Sequence, residues 1–484
     1  MRSRDLLRGT VRASGDAVGE YAPVTDAPAR AEPDWRAALL GGATPLDVAA
    51  ARRDPLGWPG YVPRSSVSVW RLATGPVCAA WDFSVFGGSF GEDDATALAT
   101  AAATAVAERR PLLTLVRSGG TRLQEGMAAL VGIPRARLAL LDLAVAGLPH
   151  LSVADAPTTG GVWISVAAAA DVRVAVEGAT VAFAGPRVVE AFTGSLPPPG
   201  SHTATSAHAA GLVDAVLPGD EVPGWVASVL RALAAAPQPV AEPATGSADH
   251  TTGWAQVQRS RARRRGGRDL LESLLSDVVA LRAAGGDTSV AAVLGRAAGR
   301  PVVGVAVAAV VGGRPTPAGY RLAARAYRLA GRLGLPVLSL VDTPGADPGA
   351  EAEQAGIAPA MGEALDALLT CPTPTLALVH GEGGSGGALA ASAADVVLVT
   401  GDAYFAAIGP EGAAAALRRP AEQCADLMGL TPRHLLALGA ADALVTDAAD
   451  VVPHLAALTE QPAEARSERR RQRWSSPLPG VVRG

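Results

Sequence analysis

Two stretches of the 484-residue sequence lie over one another without a gap: "RPLLTLVRSGG" (110–120) and "LPVLSLVDTPG" (335–345), at an offset of 225. Further on, "AADVRVAVEGATVAFAGPR" (169–187) lies over "AADVVLVTGDAYFAAIGPE" (393–411), at an offset of 224. Between these, "GLPHLSVADAPTTGG" (147–161) matches "PTPTLALVHGEGGSGG" (372–387) if one extra residue is allowed, and "HAAGLVDAVL" (208–217) resembles "LALGAADALV" (436–445). Four matches in one order at nearly one offset make the chain two copies of one domain, and any fold proposed for it must hold twice.

Each copy reads as an α/β unit. A buried strand (112–117 or 337–342) ends at a glycine-containing turn, and a helix leads to a second apolar strand (150–154 or 375–380). A double-glycine turn then opens an alanine-rich helix, followed by two short strands joined by a turn. Continuous apolar runs between helical segments predict a parallel sheet covered on both faces. The division expected is an N-terminal extension (1–50), a first domain (51–235), a linker (236–268), a second domain (269–460) and a basic tail (461–484). The linker carries Pro, Ser, Gly and charge signals, and the tail reads as a solvated extension.

Composition excludes more than it identifies. The sequence contains no lysine, so all 42 basic residues are arginine. That removes Schiff-base and P-loop lysines and any lysine to anchor pyridoxal phosphate, biotin or lipoate. Cys78, Cys371 and Cys424 are far apart with no C-x-x-C pair, which points to a reducing compartment and away from a zinc ribbon; no metal is expected. The longest apolar run, "VVGVAVAAVV" (302–311), is about half a membrane span. The basic start "MRSRDLLRGTVR" lacks an apolar region behind it, so no signal peptide is read. A cytoplasmic protein is expected, and a net charge of −4 gives no reason to expect nucleic acid.

Gly381, Gly383 and Gly386 satisfy the G-x-G-x-x-G spacing of a dinucleotide-binding turn, with Asp402 about 20 residues on. The sister copy reads "APTTGGVWISVAAAAD" and lacks that spacing. What the copies share is a Gly-Gly pair, Gly160–Gly161 and Gly386–Gly387, after a strand and at the start of a helix. Without Cβ atoms the backbone admits a ligand closely, and first-turn N–H groups point outward with the helix dipole behind them. Such a turn suits a phosphate or an oxyanion that develops during reaction. Close helix–strand packing is the alternative use of two glycines.

The stretches "RDPLGWPGY" (53–61), "FGGSFGE" (86–92), "SGGTRLQEG" (118–126), "PTTGG" (157–161) and "FAGPRVVE" (183–190) resemble the β part of the acetyl-CoA carboxylase carboxyltransferase. "PAGYRLAARAYRLAGRLGLPVLSLVDTPGADPG" (317–349), "GEGGSGGALA" (381–390) and "IGPEGAAAAL" (408–417) resemble its α part. The resemblance spans roughly residues 50 to 450 and implies two tandem crotonase-like domains. It implies transfer of CO2 from carboxybiotin to the α-carbon of a short acyl-CoA, most simply acetyl-CoA to malonyl-CoA. By position, Gly160 and Gly161 would hold the thioester oxygen, and Gly386, Gly387 and Ala388 the ureido oxygen of biotin. Gly119, Gly120, Arg122 and Arg187 would meet acyl-CoA, and Gly345 would lie on the biotin side.

With no lysine in this chain, biotin would arrive on a separate carrier protein, charged by a biotin carboxylase. The family places its two sites between domains of different protomers, which implies at least a dimer. Arg321 and Arg325, one helical turn apart, suit an anionic ligand or a solvated face. Glu353, Glu411 and His380 read as structural, and the arginine cluster 260–268 as a solvated linker. The chain departs from the family in lacking a four-cysteine ribbon, in a reduced segment before the second domain, and in "AEAEQAG" (350–356) where the family has AEERGQ. A malonate decarboxylase-like thioester enzyme and an inactive assembly partner are the alternative readings.

Overall fold

The structure, a computed structural model, describes residues 35–73, 75–262 and 265–476. The basic start, most of the 1–50 extension, two arginines of the 260–268 cluster and the last eight residues lie outside the described residues.

Each half of the chain builds one eight-stranded sheet. The first holds β1 (Thr44–Leu46), β2 (Val67–Arg71), β3 (Val77–Trp81), β4 (Leu112–Ser118), β5 (His150–Thr159), β6 (Val172–Val176), β7 (Val181–Ala182) and β8 (Ala215–Leu217). The second holds β9 (Ser276–Leu281), β10 (Val290–Ala297), β11 (Arg300–Val307), β12 (Val337–Thr343), β13 (Thr375–Gly384), β14 (Val396–Thr400), β15 (Tyr404–Ala406) and β16 (Ala443–Val445). The orders β1-β2-β3-β4-β5-β6-β8 and β9-β10-β11-β12-β13-β14-β16 are the same, with β7 and β15 added to β5 and β13. Two tandem units of one α/β fold are therefore present, as the repeat requires.

The sheets differ from the purely parallel expectation at one edge. β1, β2 and β3 pair antiparallel, as do β9, β10 and β11, and only from β3 or β11 onward is pairing parallel. The two short strands after the glycine turn do not form a hairpin. β6 pairs with the first half of β5 and β7 with its last two residues, so β5 leaves one neighbour for another as it nears its C-terminal end. β13 does the same with β14 and β15.

Alternation along the strands explains burial on both faces. In the second sheet Val337, Val341, Val379, Val397 and Val399 join one buried cluster, while Leu338, Leu340, Leu376, Leu378 and Leu398 join another. The first of these clusters continues into the first unit. Small residues set the helix distance: Ala95, Ala97, Ala101, Ala102 and Ala105 are fully buried on the helix Glu92–Glu108.

Two segments read as solvated are docked. Within the 236–268 linker, the helix Gly253–Ala262 buries Gln256, whose amide donates to the carbonyls of Gly401 (2.9 Å) and Ala403 (2.7 Å). Arg261, in the last turn of the same helix, donates to Glu411 (2.6 Å) and Glu382 (3.2 Å). Within the 461–484 tail, the helix Ala463–Ser475 buries Arg470 against Asp395 (2.7 and 2.9 Å) and the carbonyls of Leu368 and Cys371.

Arg325 is taken by the seam between the units. From the helix Pro317–Leu333 its guanidinium donates to Asp214 (2.7 Å) and to the Asp171 carbonyl (2.7 Å) of the first unit, and Arg332 pairs with Asp171. Arg321 instead donates to the Ala355 carbonyl.

Candidate active site

Both units present the same two turns at the C-terminal ends of their central strands. β4 ends at Ser118, whose hydroxyl accepts the Gly120 N–H (3.2 Å). β12 ends at Thr343, whose hydroxyl accepts the Gly345 N–H (3.2 Å). Both glycines stand at positive φ (114° and 126°), which a side chain would strain. The carbonyl of Phe90 accepts the Arg122 N–H and that of Pro315 the Asp347 N–H, so the two turns are fixed alike.

Register fixes how the second turns correspond. Ser118 pairs with Thr158, and Thr343 with Gly383. Gly160 is therefore the counterpart of Ser385, and Gly161 of Gly386, with no extra residue between the copies. Gly160 (φ 67°) and Ser385 (φ 59°) share the left-handed conformation. The sequence pairing of Gly160–Gly161 with Gly386–Gly387 is thus one residue out of step.

Hydrogen bonding sorts the predicted donors. The Gly119 N–H is held by the Gly87 carbonyl (3.0 Å) and the Gly160 N–H by the Phe183 carbonyl (2.9 Å). Gly161 sits in the first turn of the helix that follows β5, where an N–H has no acceptor inside the helix. Thr121 is bridged to Phe90 through the carbonyl of Gly120 and the N–H of Arg122, so its own N–H faces the other way, toward Gly160. A Cβ at Gly160 would stand 3.0 Å from the Gly120 Cα and 3.9 Å from the Thr121 nitrogen. The Thr121 and Gly161 amides therefore lie on adjacent turns of the first unit.

Their counterparts are Ala346 and Gly386. Gly387 lies beside them, with its Cβ position 2.7 Å from the Ala346 nitrogen and 2.6 Å from the Tyr320 hydroxyl, so only glycine fits. Ala388 is the fourth residue of the helix Ser385–Ser392, where the i→i−4 pattern gives its N–H the Gly384 carbonyl. The other glycines of "GEGGSGG" serve packing: Gly381 against Asp342, Gly383 against the Phe405 ring and Gly384 against Pro344. Asp402 lies in the turn between β14 and β15, remote in kind from a ribose contact.

The second turn pair floors a cleft of about 570 Å³ that contains Gly345, Ala346, Gly386 and Gly387. Its walls are apolar, including Ile357, Met361 and Ile408, and its charged members are Arg314, Asp347 and Glu353. Glu353, read as structural from the sequence, lines this cleft. The first turn pair instead opens on a surface with exposed Leu123 (75%), Met127 (67%), Phe183 (71%) and Phe192 (86%).

Arg122 does not reach that surface. Its side chain is fully buried, bonded to Asp94 (2.6 Å), Glu125 (3.1 Å) and the carbonyls of Ser89 and Arg64, and Tyr61 donates to the same Glu125. A buried charge so completely paired anchors the turn and leaves no donor for a phosphate, which corrects the acyl-CoA role expected for it. Arg187 stays exposed on the helix Pro186–Thr193. Thr121, Ala346 and Arg314 were missed by sequence reasoning. The first two could be found only by noting that each strand-end glycine is followed by one more amide. Among the described residues no cluster of His, Cys, Asp and Glu could hold a metal ion, and no helix is long and apolar enough to cross a membrane.

Comparison with known proteins shows the family and the fold. Residues 238–456 match a family model described as acetyl co-enzyme A carboxylase carboxyltransferase-like. The chain is 37% identical to the acetyl-coenzyme A carboxylase carboxyl transferase subunits beta/alpha of Salinispora tropica, over 90% of this chain and 88% of that one. It is 35% identical to a probable biotin-dependent acyl-coenzyme A carboxylase beta3 subunit of Mycobacterium tuberculosis, over 82% and 85%. The transcarboxylase 12S structure, a hexamer, shares the fold with a TM-score of 0.72 at 24% identity, over 91% of this chain and 89% of that one.

Proposed function

The chain belongs to the acetyl-CoA carboxylase carboxyltransferase family, its β-like and α-like parts joined in one polypeptide, and from that premise we propose that it converts acetyl-CoA to malonyl-CoA with carboxylated biotin as donor. It is an acyl-CoA carboxyltransferase; the acyl group, the donor and the residue roles are the proposal. The observation that carries it is the repetition of one amide pair, Thr121 with Gly161 and Ala346 with Gly386, at equivalent strand ends.

The Thr121 and Gly161 amides hold the thioester oxygen as the α-carbon loses its proton, with Gly119, Gly120 and Gly160 giving the backbone its shape. Two preorganised donors favour an enolate because charge grows on the oxygen they face. Ala346, Gly386 and the adjoining Gly387 hold the ureido oxygen of biotin, with Gly345 shaping the turn. Biotin, delivered on a separate carrier because this chain has no lysine to bear it, supplies CO2 and a nitrogen able to take the α-proton. No side-chain base is then needed. We assign CoA phosphate to Arg187, which is exposed and so free to reach a ligand.

A biotin carboxylase and a carrier protein are the partners this reading requires, and a homo-oligomer is its setting. Met127, Val131, Leu138, Leu141 and Val145 support the latter: they are exposed at helical spacing on Met127–Val145, an apolar stripe of the kind that marks an interface. The test is to supply carboxylated carrier with acetyl-CoA and to measure malonyl-CoA. No transfer to any short acyl-CoA by folded protein refutes the reading. Turnover of a malonyl carrier without biotin would favour the decarboxylase alternative, and inertness in both an assembly role.

A further inference from the structure

The two units differ at the end of their strands opposite the amide pairs. In the second unit the C-terminal helix closes that end. Its Arg470 takes the carbonyls of Leu368 (2.9 Å), Leu369 (3.1 Å) and Thr373 (3.3 Å) together with the Asp395 carboxylate. At the offset of 225 these carbonyls correspond to those of Leu143, Ala144 and Leu148. Asp171 corresponds to Asp395, because each accepts the N–H of the first residue of its central strand, His150 or Thr375.

In the first unit the same place is a cavity of about 210 Å³, whose lining includes Leu143, Ala144, Leu148 and Asp171. Arg332 reaches it from the second unit, donating to the Leu148 carbonyl (3.2 Å) and pairing with Asp171. It meets two of the four acceptors that Arg470 meets and leaves the space open. Arg137, half-buried on the helix Met127–Val145, lines the cavity as well. Among the described residues no hydrogen bond or ion pair engages its guanidinium. Asp171 is the one carboxylate of the lining, and Arg332 already neutralises it. His150 adds no charge at neutral pH, because burial, and after it the charges of Arg332 and Arg137, push its pKa down to about 3. One uncompensated positive charge therefore stands beside walls of leucine and alanine.

We propose that this cavity binds a small aliphatic monocarboxylate, with the carboxylate on Arg137 and the hydrocarbon body against Leu140, Leu143 and Leu148. A concave, mostly apolar site with a few polar groups is the usual form of a small-molecule pocket. A planar guanidinium offers a carboxylate two parallel hydrogen bonds. A phosphate would bring a second charge for which the lining holds no second free cation, so the single arginine selects a monoanion. The volume is that of roughly seven waters, enough for a short acid. The cavity joins both units and lies at the other end of β5 from Gly161, so its ligand neither needs nor obstructs the amide pairs.

The probes are hexanoate and hexanol, titrated by calorimetry into the whole chain with and without saturating acetyl-CoA. Hexanoate should bind about tenfold or more tightly than hexanol, the scale of a hydrogen bond to a charged group, and acetyl-CoA should not displace it. Arg137→Gln should bring hexanoate down to the level of hexanol, and Arg137→Lys should restore part of the preference. Ala144→Leu, which fills the cavity without touching a charge, should weaken both probes. A preference that survives in Arg137→Gln, or displacement of hexanoate by acetyl-CoA, overturns the proposal. So does inorganic phosphate bound as tightly as hexanoate, or no hexanoate bound at millimolar concentration.

Discussion

Gly160 and Ser385 hold the same place in the two units: each is the first residue after a ten-residue strand, each opens a helix, and their φ angles are 67° and 59°. One is the residue best suited to that conformation and the other is poorly suited. The serine carries a strain of roughly 1 kcal/mol that the glycine does not. Ser385→Gly should therefore leave the urea midpoint unchanged or raise it, and Ser385→Val should lower it. A clear loss of stability in the glycine variant would show that the hydroxyl has a role the backbone does not explain.

Gly161 tests the amide pair directly. A Cβ there would stand 2.2 Å from the Ile133 Cδ1, so a larger side chain must push Ile133 and the helix N-terminus apart. Gly161→Val should reduce malonyl-CoA formation by about 100-fold or more, the scale of losing one oxyanion donor. Gly386→Val should do the same from the other side. Circular dichroism should show both variants folded; near-normal rates would refute the assignment of these amides.

Arg470 and Asp395 form a buried, bidentate pair with side chains 4% and 0% exposed. Removing either partner leaves the other charge uncompensated, which typically destabilises by about 3 kcal/mol or more. Arg470→Met should show that loss in urea unfolding, and Asp395→Asn a comparable one. The double variant should lose less than the two summed. Unfolding like that of the unaltered protein would mean that the C-terminal helix is not held as described.

His150 makes stability depend on pH. Burial, and after it the charges of Arg332 and Arg137, push its pKa from 6.5 down to about 3. The unfolded chain binds a proton below about pH 6.5 while the folded one does not. The contribution is fully present above that value, falls as pH drops toward 3, and is gone below it. Between pH 7 and 4.5 the unaltered protein should lose about 2 kcal/mol more than His150→Gln, measured by urea midpoints at each pH. Equal losses would place the proton elsewhere.

The repeat, the glycine turns and the two-unit fold were legible because they depend on residue type and spacing. The direction of a backbone N–H does not. Nothing in the letters of Gly160 says that Phe183 already holds its amide, or that Thr121 completes the pair instead. The one-residue slip between copies arose because Gly-Gly was matched to Gly-Gly, when the serine at 385 is the true counterpart. Charged residues misled in the same way. Arg122, Arg325 and Arg470 look like surface cations, yet each meets a carboxylate 28, 111 and 75 positions away. Only the folded chain brings such pairs together.

The seam at Asp214 has a consequence for how the polypeptide is handled. Arg325 and Arg332 would hold the two halves together even if the backbone between them were cut, since their partners lie in the other unit. The connecting segment near 236–252 therefore fixes stoichiometry more than attachment. It guarantees one half of each kind per molecule and keeps them at an effective concentration in the millimolar range. Halves produced as separate chains should reassemble, and synthesis at unequal levels would then leave a surplus of whichever was made in excess.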